Sequence, residues 1–118
     1  MTDISIAKAH DKSWYAVCPK TELLKDAGVC ALLKQQQIAI FHLERQQQLF
    51  AVSNYDPIGK AMVIYRGILG SVNDEPVIAS PLYKQQFALT DGRCLQQDDM
   101  QLQTFDVRIE NDMVEVLL

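Results

Sequence analysis

The chain is poor in the residues that usually do chemistry. Between His42 and Cys94 there is neither a histidine nor a cysteine, and the histidines elsewhere are His10 and His42. The cysteines, Cys18, Cys30 and Cys94, form no C-x-x-C pair. An odd, scattered set excludes a disulfide framework and suits a reducing compartment. Apolar or small residues adjoin them, on both sides in Val29-Cys30-Ala31, so a buried packing role is expected for all three, most firmly for Cys30. The sequence nominates no histidine beside any of them that would activate a thiol. His42, inside Ile40-Phe41-His42-Leu43, has the setting of a strand histidine rather than of an acid–base catalyst.

Other absences narrow the class further. No apolar run approaches the roughly 20 residues of a membrane span. Residues 1–12 are polar, lack the apolar stretch of a secretory signal, and are expected to form a loose arm that carries His10. There is no G-x-G-x-x-G for a dinucleotide. A net charge of −4 argues against a surface that tracks phosphates. Aromatic and basic residues are not interleaved, which disfavours a barrel for single-stranded nucleic acid. What remains is an acidic, intracellular protein. With 118 residues, 48% of them hydrophobic, it can bury a core without metal or disulfide.

What is present is mostly strand. Trp14 to Val17 is a short β-favouring run stopped by Pro19. Val29–Leu33, Ile38–Leu43 and Leu49–Ser53 read as a three-stranded meander, with Lys34-Gln35-Gln36-Gln37 as its first connection. Phe105, Val107 and Ile109 alternate with polar residues up to Asn111-Asp112, and Val114, Val116 and Leu118 resume the alternation. That pattern predicts a hairpin with one buried face. Thr21 to Ala27, capped by Thr21 and ended by Gly28, is the only helix signal. The glutamine clusters fall in or beside predicted turns, and no internal repeat stands out. The expectation is a single all-β domain over 13–118, a small antiparallel sandwich or barrel with at most one short helix near 21–27.

Two segments are not strands, Asn54 to Gly67 and Ser80 to Gln85. The second, in Val77-Ile78-Ala79-Ser80-Pro81-Leu82-Tyr83-Lys84, with Gln86-Phe87-Ala88-Leu89-Thr90-Asp91-Gly92 after it, resembles the second cluster-binding loop of a Rieske domain and the hairpin that follows. In that family two projecting loops carry C-x-H and C-x-x-H, usually with a proline after each cysteine, and hold a [2Fe–2S] cluster through two thiolates and two imidazoles. Here Pro57, Pro81, Gly67 and the Phe87 to Gly92 frame are present and the ligands are not. Asp56 or Pro57 stands at the first cysteine position, and Ser80 and Tyr83 stand at the second loop's cysteine and histidine. These are hard oxygen groups or none, poor ligands for a cluster that takes sulfur and nitrogen. Tyr83 is large enough to fill part of the cluster's volume. Metal binding is therefore not expected.

Ala51-Val52-Ser53-Asn54-Tyr55-Asp56-Pro57, Tyr65-Arg66-Gly67-Ile68-Leu69-Gly70 and Ala79 to Phe87 together are similar to the small subunits of NAD(P)H-dependent nitrite reductases, from Trp14 to the C-terminus. That resemblance implies a cytoplasmic complex reducing nitrite to ammonia, in which a large subunit carries FAD, a [4Fe–4S] cluster and sirohaem. This chain then has no cofactor and no catalytic residue of its own. Its partner surface would be the loop tip, with Asp56, Pro57, Ile58, Tyr65, Arg66, Leu82, Tyr83 and Lys84 as candidate contacts. Tyr65, Arg66 and Tyr83 belong to the residue types that dominate interface energies. The plainer reading packs Tyr65 under the loop and pairs Arg66 with a local carboxylate. The alternative function is a clusterless interaction module serving another oxidoreductase or associating weakly with itself through a sheet edge.

Overall fold

The structure, a computed structural model, describes residues 12–118. The expected arm, His10 included, therefore falls outside the described residues except for Lys12. The strands in chain order are β1 (Trp14–Pro19), β2 (Gly28–Leu33), β3 (Gln36–Leu43), β4 (Gln48–Ser53), β5 (Tyr55–Asp56), β6 (Ala61–Met62), β7 (Ile68–Val72), β8 (Glu75–Ala79), β9 (Gln86–Ala88), β10 (Thr104–Phe105), β11 (Val107–Glu110) and β12 (Met113–Leu117). They form antiparallel sheets ordered β1-β12-β11, β10-β4-β3-β2, β5-β6 and β7-β8-β9.

The meander sheet is the middle layer, and β3 shows why. Ile38, Ala39, Ile40 and Phe41 are all fully buried. Successive strand residues face opposite ways, so a continuous apolar run means that both faces are covered. Ala39, Phe41 and Leu43 face a core shared with Val52, Ile64, Ile78, Phe87, Leu89 and Leu102. Ile38 and Ile40 face a second core with Ala51 and Val116, walled by Val17, Phe105 and Val107. The β7-β8-β9 sheet thus lies on one side of the meander and the terminal sheet on the other.

Several connections are tight. Lys34-Gln35, Asn73-Asp74 and Asn111-Asp112 each hold two consecutive residues at positive φ, the backbone of a type I′ hairpin turn. The first connection is thus two residues long rather than four, and Gln36 and Gln37 pair with Leu33 and Leu32. Gly92, at φ +84, closes the turn after β9, where a Cβ would lie 2.0 Å from the Leu102 carbonyl oxygen.

Four expectations are corrected. The helix near 21–27 is a single 3₁₀ turn, Lys20–Glu22, with Pro19 at its N-cap position and no side-chain cap, so Thr21 lies inside it. Gly28 opens β2 instead of ending a helix. A Cβ there would fall 2.3 Å from the Tyr65 carbonyl oxygen. The C-terminal alternation is split at Asp106: Phe105 pairs with Ala51 of β4, Val107 pairs with Val116, and Ile109 is 42% exposed rather than buried. Finally, Cys94 is buried, Cys18 is half-buried and Cys30 is exposed. On a strand the neighbours Val29 and Ala31 point away from Cys30 and say nothing about its burial.

Candidate functional site

The two loops expected to project are built alike. Asp56-Pro57-Ile58-Gly59-Lys60 and Ser80-Pro81-Leu82-Tyr83-Lys84 share a polar first residue, a proline, an aliphatic residue and a closing lysine. The proline pre-sets φ for a turn, and the polar side chain folds back onto the backbone after it. Asp56 Oδ1 accepts the N–H groups of Ile58 (2.9 Å) and Gly59 (3.0 Å). Ser80 Oγ accepts the N–H of Leu82 at 3.2 Å. Each turn closes when the lysine N–H donates to the carbonyl of the first residue, Lys60 to Asp56 at 2.7 Å and Lys84 to Ser80 at 3.0 Å. Both lysines have positive φ, 56° and 63°. No repeat is legible in the sequence because Pro and Lys are the only identities in these five-residue units.

The loops meet through their first residues. The Ser80 hydroxyl donates to Asp56 Oδ2, and both side chains are buried. Asp56 therefore accepts three hydrogen bonds and leaves no buried donor around it unpaired. Above this bond the contact is apolar, since a Cβ on Gly59 would lie 2.5 Å from Leu82 Cδ1.

Loop one is fixed to the body by Asn54, to which the sequence alone assigns no role. Asn54 is fully buried. Its Oδ1 accepts the Tyr65 N–H at 2.8 Å, and its Nδ2 donates to Gln37 Oε1 at 3.1 Å and to Cys30 Sγ at 3.5 Å. Asn54 and Asp56 stand two apart in an extended segment, and that spacing turns both inward. The segment from Asn54 to Gly67 is thus not irregular. It holds the β5-β6 hairpin and a 3₁₀ turn, Ile64–Arg66, whose Ile64 enters the core.

The proposed contacts divide into supports and surface. Asp56 is wholly buried and cannot touch a partner. Pro57, Ile58 and Tyr65 are half-buried, with Ile58 and Tyr65 packed on the core. Arg66 and Lys84 are exposed. Leu82 is 46% exposed and Tyr83 63%, so Tyr83 does not fill a cluster's volume. Arg66 pairs with no carboxylate among the described residues. Its Nε donates to the neighbouring Tyr65 hydroxyl at 2.9 Å. Tyr55, Met62 and Ile68 are further exposed apolar side chains at this end and are not among the contacts expected from the sequence. The Tyr55–Met62 pairing in β5-β6 could have shown two of them, since the residue next to an inward Asp56 must face out.

Comparison with known proteins agrees with this geometry. The sequence model of the Rieske-like [2Fe-2S] domain family matches residues 13–117. The nitrite reductase (NADH) small subunit of Escherichia coli K12 is 36% identical over 103 residues, covering 87% of this chain and 95% of that protein. The chain belongs to the nitrite reductase small-subunit family. The solution structure of the Escherichia coli protein NirD superposes with a TM-score of 0.83 at 34% identity, covering 92% of this chain and 98% of that one. A protein from Klebsiella oxytoca named nitrite reductase [NAD(P)H] large subunit is 36% identical over 105 residues, which are 89% of this chain but 11% of that protein.

The loop residues do not fit the cluster in the domain family's description. A Rieske centre takes two thiolates and two imidazoles, and Asp56 or Pro57 in loop one and Ser80 and Tyr83 in loop two, where such ligands were expected, offer neither. Asp56 and Ser80 bind each other. No group of three or more His, Cys, Asp or Glu that could hold a metal ion occurs among the described residues. Nor is Cys30 an activated thiol: desolvation raises its pKa, which lowers the thiolate fraction.

Proposed function

We propose that this chain is the non-catalytic small subunit of an NAD(P)H-dependent nitrite reductase, which reduces nitrite to ammonia, and that it carries no cofactor of its own. FAD, the [4Fe–4S] cluster and sirohaem belong to the large subunit, and this chain docks on it through the loop tip. The observation that carries this reading is the Klebsiella oxytoca relative. There a segment matching nearly all of this chain lies within a protein named as the large subunit. A domain that is joined to a large subunit in one organism and separate in another is suited to work against it in both. The cytoplasm is the compartment that fits, since Cys18, Cys30 and Cys94 are all free. No helix among the described residues is long and apolar enough to cross a membrane.

Reconstitution tests the reading. Nitrite-dependent oxidation of NADH or NADPH by the purified large subunit is measured with and without this chain. Higher activity or a longer half-life of activity is expected with it. If neither changes, the chain is an interaction module for some other oxidoreductase. The contact surface is tested by capture of the large subunit on immobilised chain. Arg66→Ala with Tyr83→Ala is expected to reduce capture severalfold, and undiminished capture would move the interface off the tip.

A further inference from the structure

We infer that the tip is a mixed apolar and cationic surface that recognises an acidic-rimmed apolar patch on the large subunit, with separate roles for its two kinds of side chain. The inference rests on the tip being the docking face and adds the chemistry of what it meets. The twin lysines come first. Lys60 and Lys84 close equivalent turns in the same left-handed backbone conformation, and both are exposed. Arg66 is exposed as well and ends the 3₁₀ turn that follows the β5-β6 hairpin. None of the three forms an ion pair among the described residues; away from the tip Lys34 and Arg45 are likewise unpaired, while Lys20, Lys25, Arg93 and Arg108 are each paired with a carboxylate.

The local charge opposes that of the whole chain. Residues 54–68 and 79–86 contain these three cations and one acid, Asp56, which is buried. The full chain has a net charge of −4. Asp98 and Asp99 follow Gln96, which bonds Gln86 on the flank of loop two, and neither pairs with Lys84. A positive end on a negative body makes a molecular dipole. Such a dipole orients approach to an acidic target and holds the rest of the surface away.

Apolar exposure is concentrated at the same end. Tyr55, Met62, Ile68, Leu82 and Tyr83 account for most of the large hydrophobic side chains that the described residues expose. Large aromatic and aliphatic residues beside unpaired cations match a protein interface, whose core is apolar and whose rim is polar. A small phosphate ligand would need the cations alone. In such an arrangement rim charges govern the association rate and its salt dependence, while the buried apolar anchors govern dissociation.

The test follows association and dissociation of the intact chain on the purified large subunit from low to high sodium chloride. The wild-type chain is expected to associate more slowly as salt rises. K60E/R66E/K84E should associate on the order of tenfold more slowly at low salt and speed up with salt. K60Q/R66Q/K84Q should fall between them. L82A/Y83A should leave the salt slope alone and dissociate severalfold faster. K20E, remote from the tip, should behave as wild type. Thermal melts of every variant at the wild-type temperature establish that the fold is intact. A K60E/R66E/K84E chain with wild-type rates and salt slope would overturn the inference and leave the subunit assignment standing. A wild-type chain that does not bind the large subunit at all would overturn the assignment and the inference with it.

Discussion

The two loops begin with the same plan and end with different tasks. In loop one the fourth residue is Gly59, and the space its side chain would take belongs to Leu82 of loop two. In loop two the fourth residue is Tyr83, 63% exposed. The first residues differ in the same sense. Asp56 accepts two backbone N–H groups and a hydroxyl, while Ser80 accepts one N–H and donates its hydroxyl to Asp56. Loop one is therefore the seat and loop two the part presented. Where a cluster would join two loops by covalent ligation, a carboxyl and a hydroxyl join these two by one buried hydrogen bond.

The largest effect should come from the seat. Asp56→Ala leaves the N–H groups of Ile58 and Gly59 and the Ser80 hydroxyl without their acceptor in a buried site. Each orphaned buried group costs about 1–3 kcal/mol. Partial rescue by water and relaxation brings the expected loss to about 3–5 kcal/mol in urea unfolding. A loss under about 1 kcal/mol would show that loop one does not depend on this carboxyl. Ser80→Ala removes one donor and one acceptor, and about 2 kcal/mol is expected. The double variant should cost clearly less than the sum of the singles, because the residues share one bond. Strict additivity would mean that the Asp56–Ser80 bond contributes nothing.

How far the sequence foretold this differs between the fold and the site. The meander and the C-terminal hairpin were legible because apolar alternation and polar turn pairs mark strands directly. The layering was not. Ile38 to Phe41 reads as one apolar block, and only the packing on the two faces of the sheet shows that its odd and even members feed separate cores. Cys30 misled for a related reason: its apolar neighbours lie on the other face, while Leu32, two residues on, is 71% exposed. Within the site, Pro57 and Pro81 marked the loops correctly. The roles of Asn54 and Asp56 stayed hidden because Asn and Asp are ordinary turn residues. Nothing local announces that these two are buried and fully bonded.

Gly59→Ala tests the asymmetry between the loops directly. The added methyl meets Leu82 Cδ1 and, at 2.9 Å, Asp56 Oδ2. Leu82 is half in solvent and can swing aside, so about 1–2 kcal/mol is expected rather than a failure to fold. Because Leu82 would be displaced, capture of the large subunit should weaken as well. Stability and binding then fall together at this one position. An unchanged melting temperature would mean that the two loops are not in contact there.

The smallest effect on the isolated chain should come from the matching position in loop two. Tyr83→Ala removes a ring that is mostly in water and fills no internal space, so stability should stay within about 0.5 kcal/mol of wild type. Two very different magnitudes at the fourth residues of two similar loops are the content of the comparison. If Tyr83→Ala costs as much as Gly59→Ala, the ring is packing against loop one, and loop two is a support like its twin. If it costs nothing in unfolding yet speeds dissociation from the large subunit, the ring is held out for the partner. Exposing a large aromatic side chain to water has a solvation cost that the isolated fold does not recover. That cost is recovered only when a second surface covers the ring.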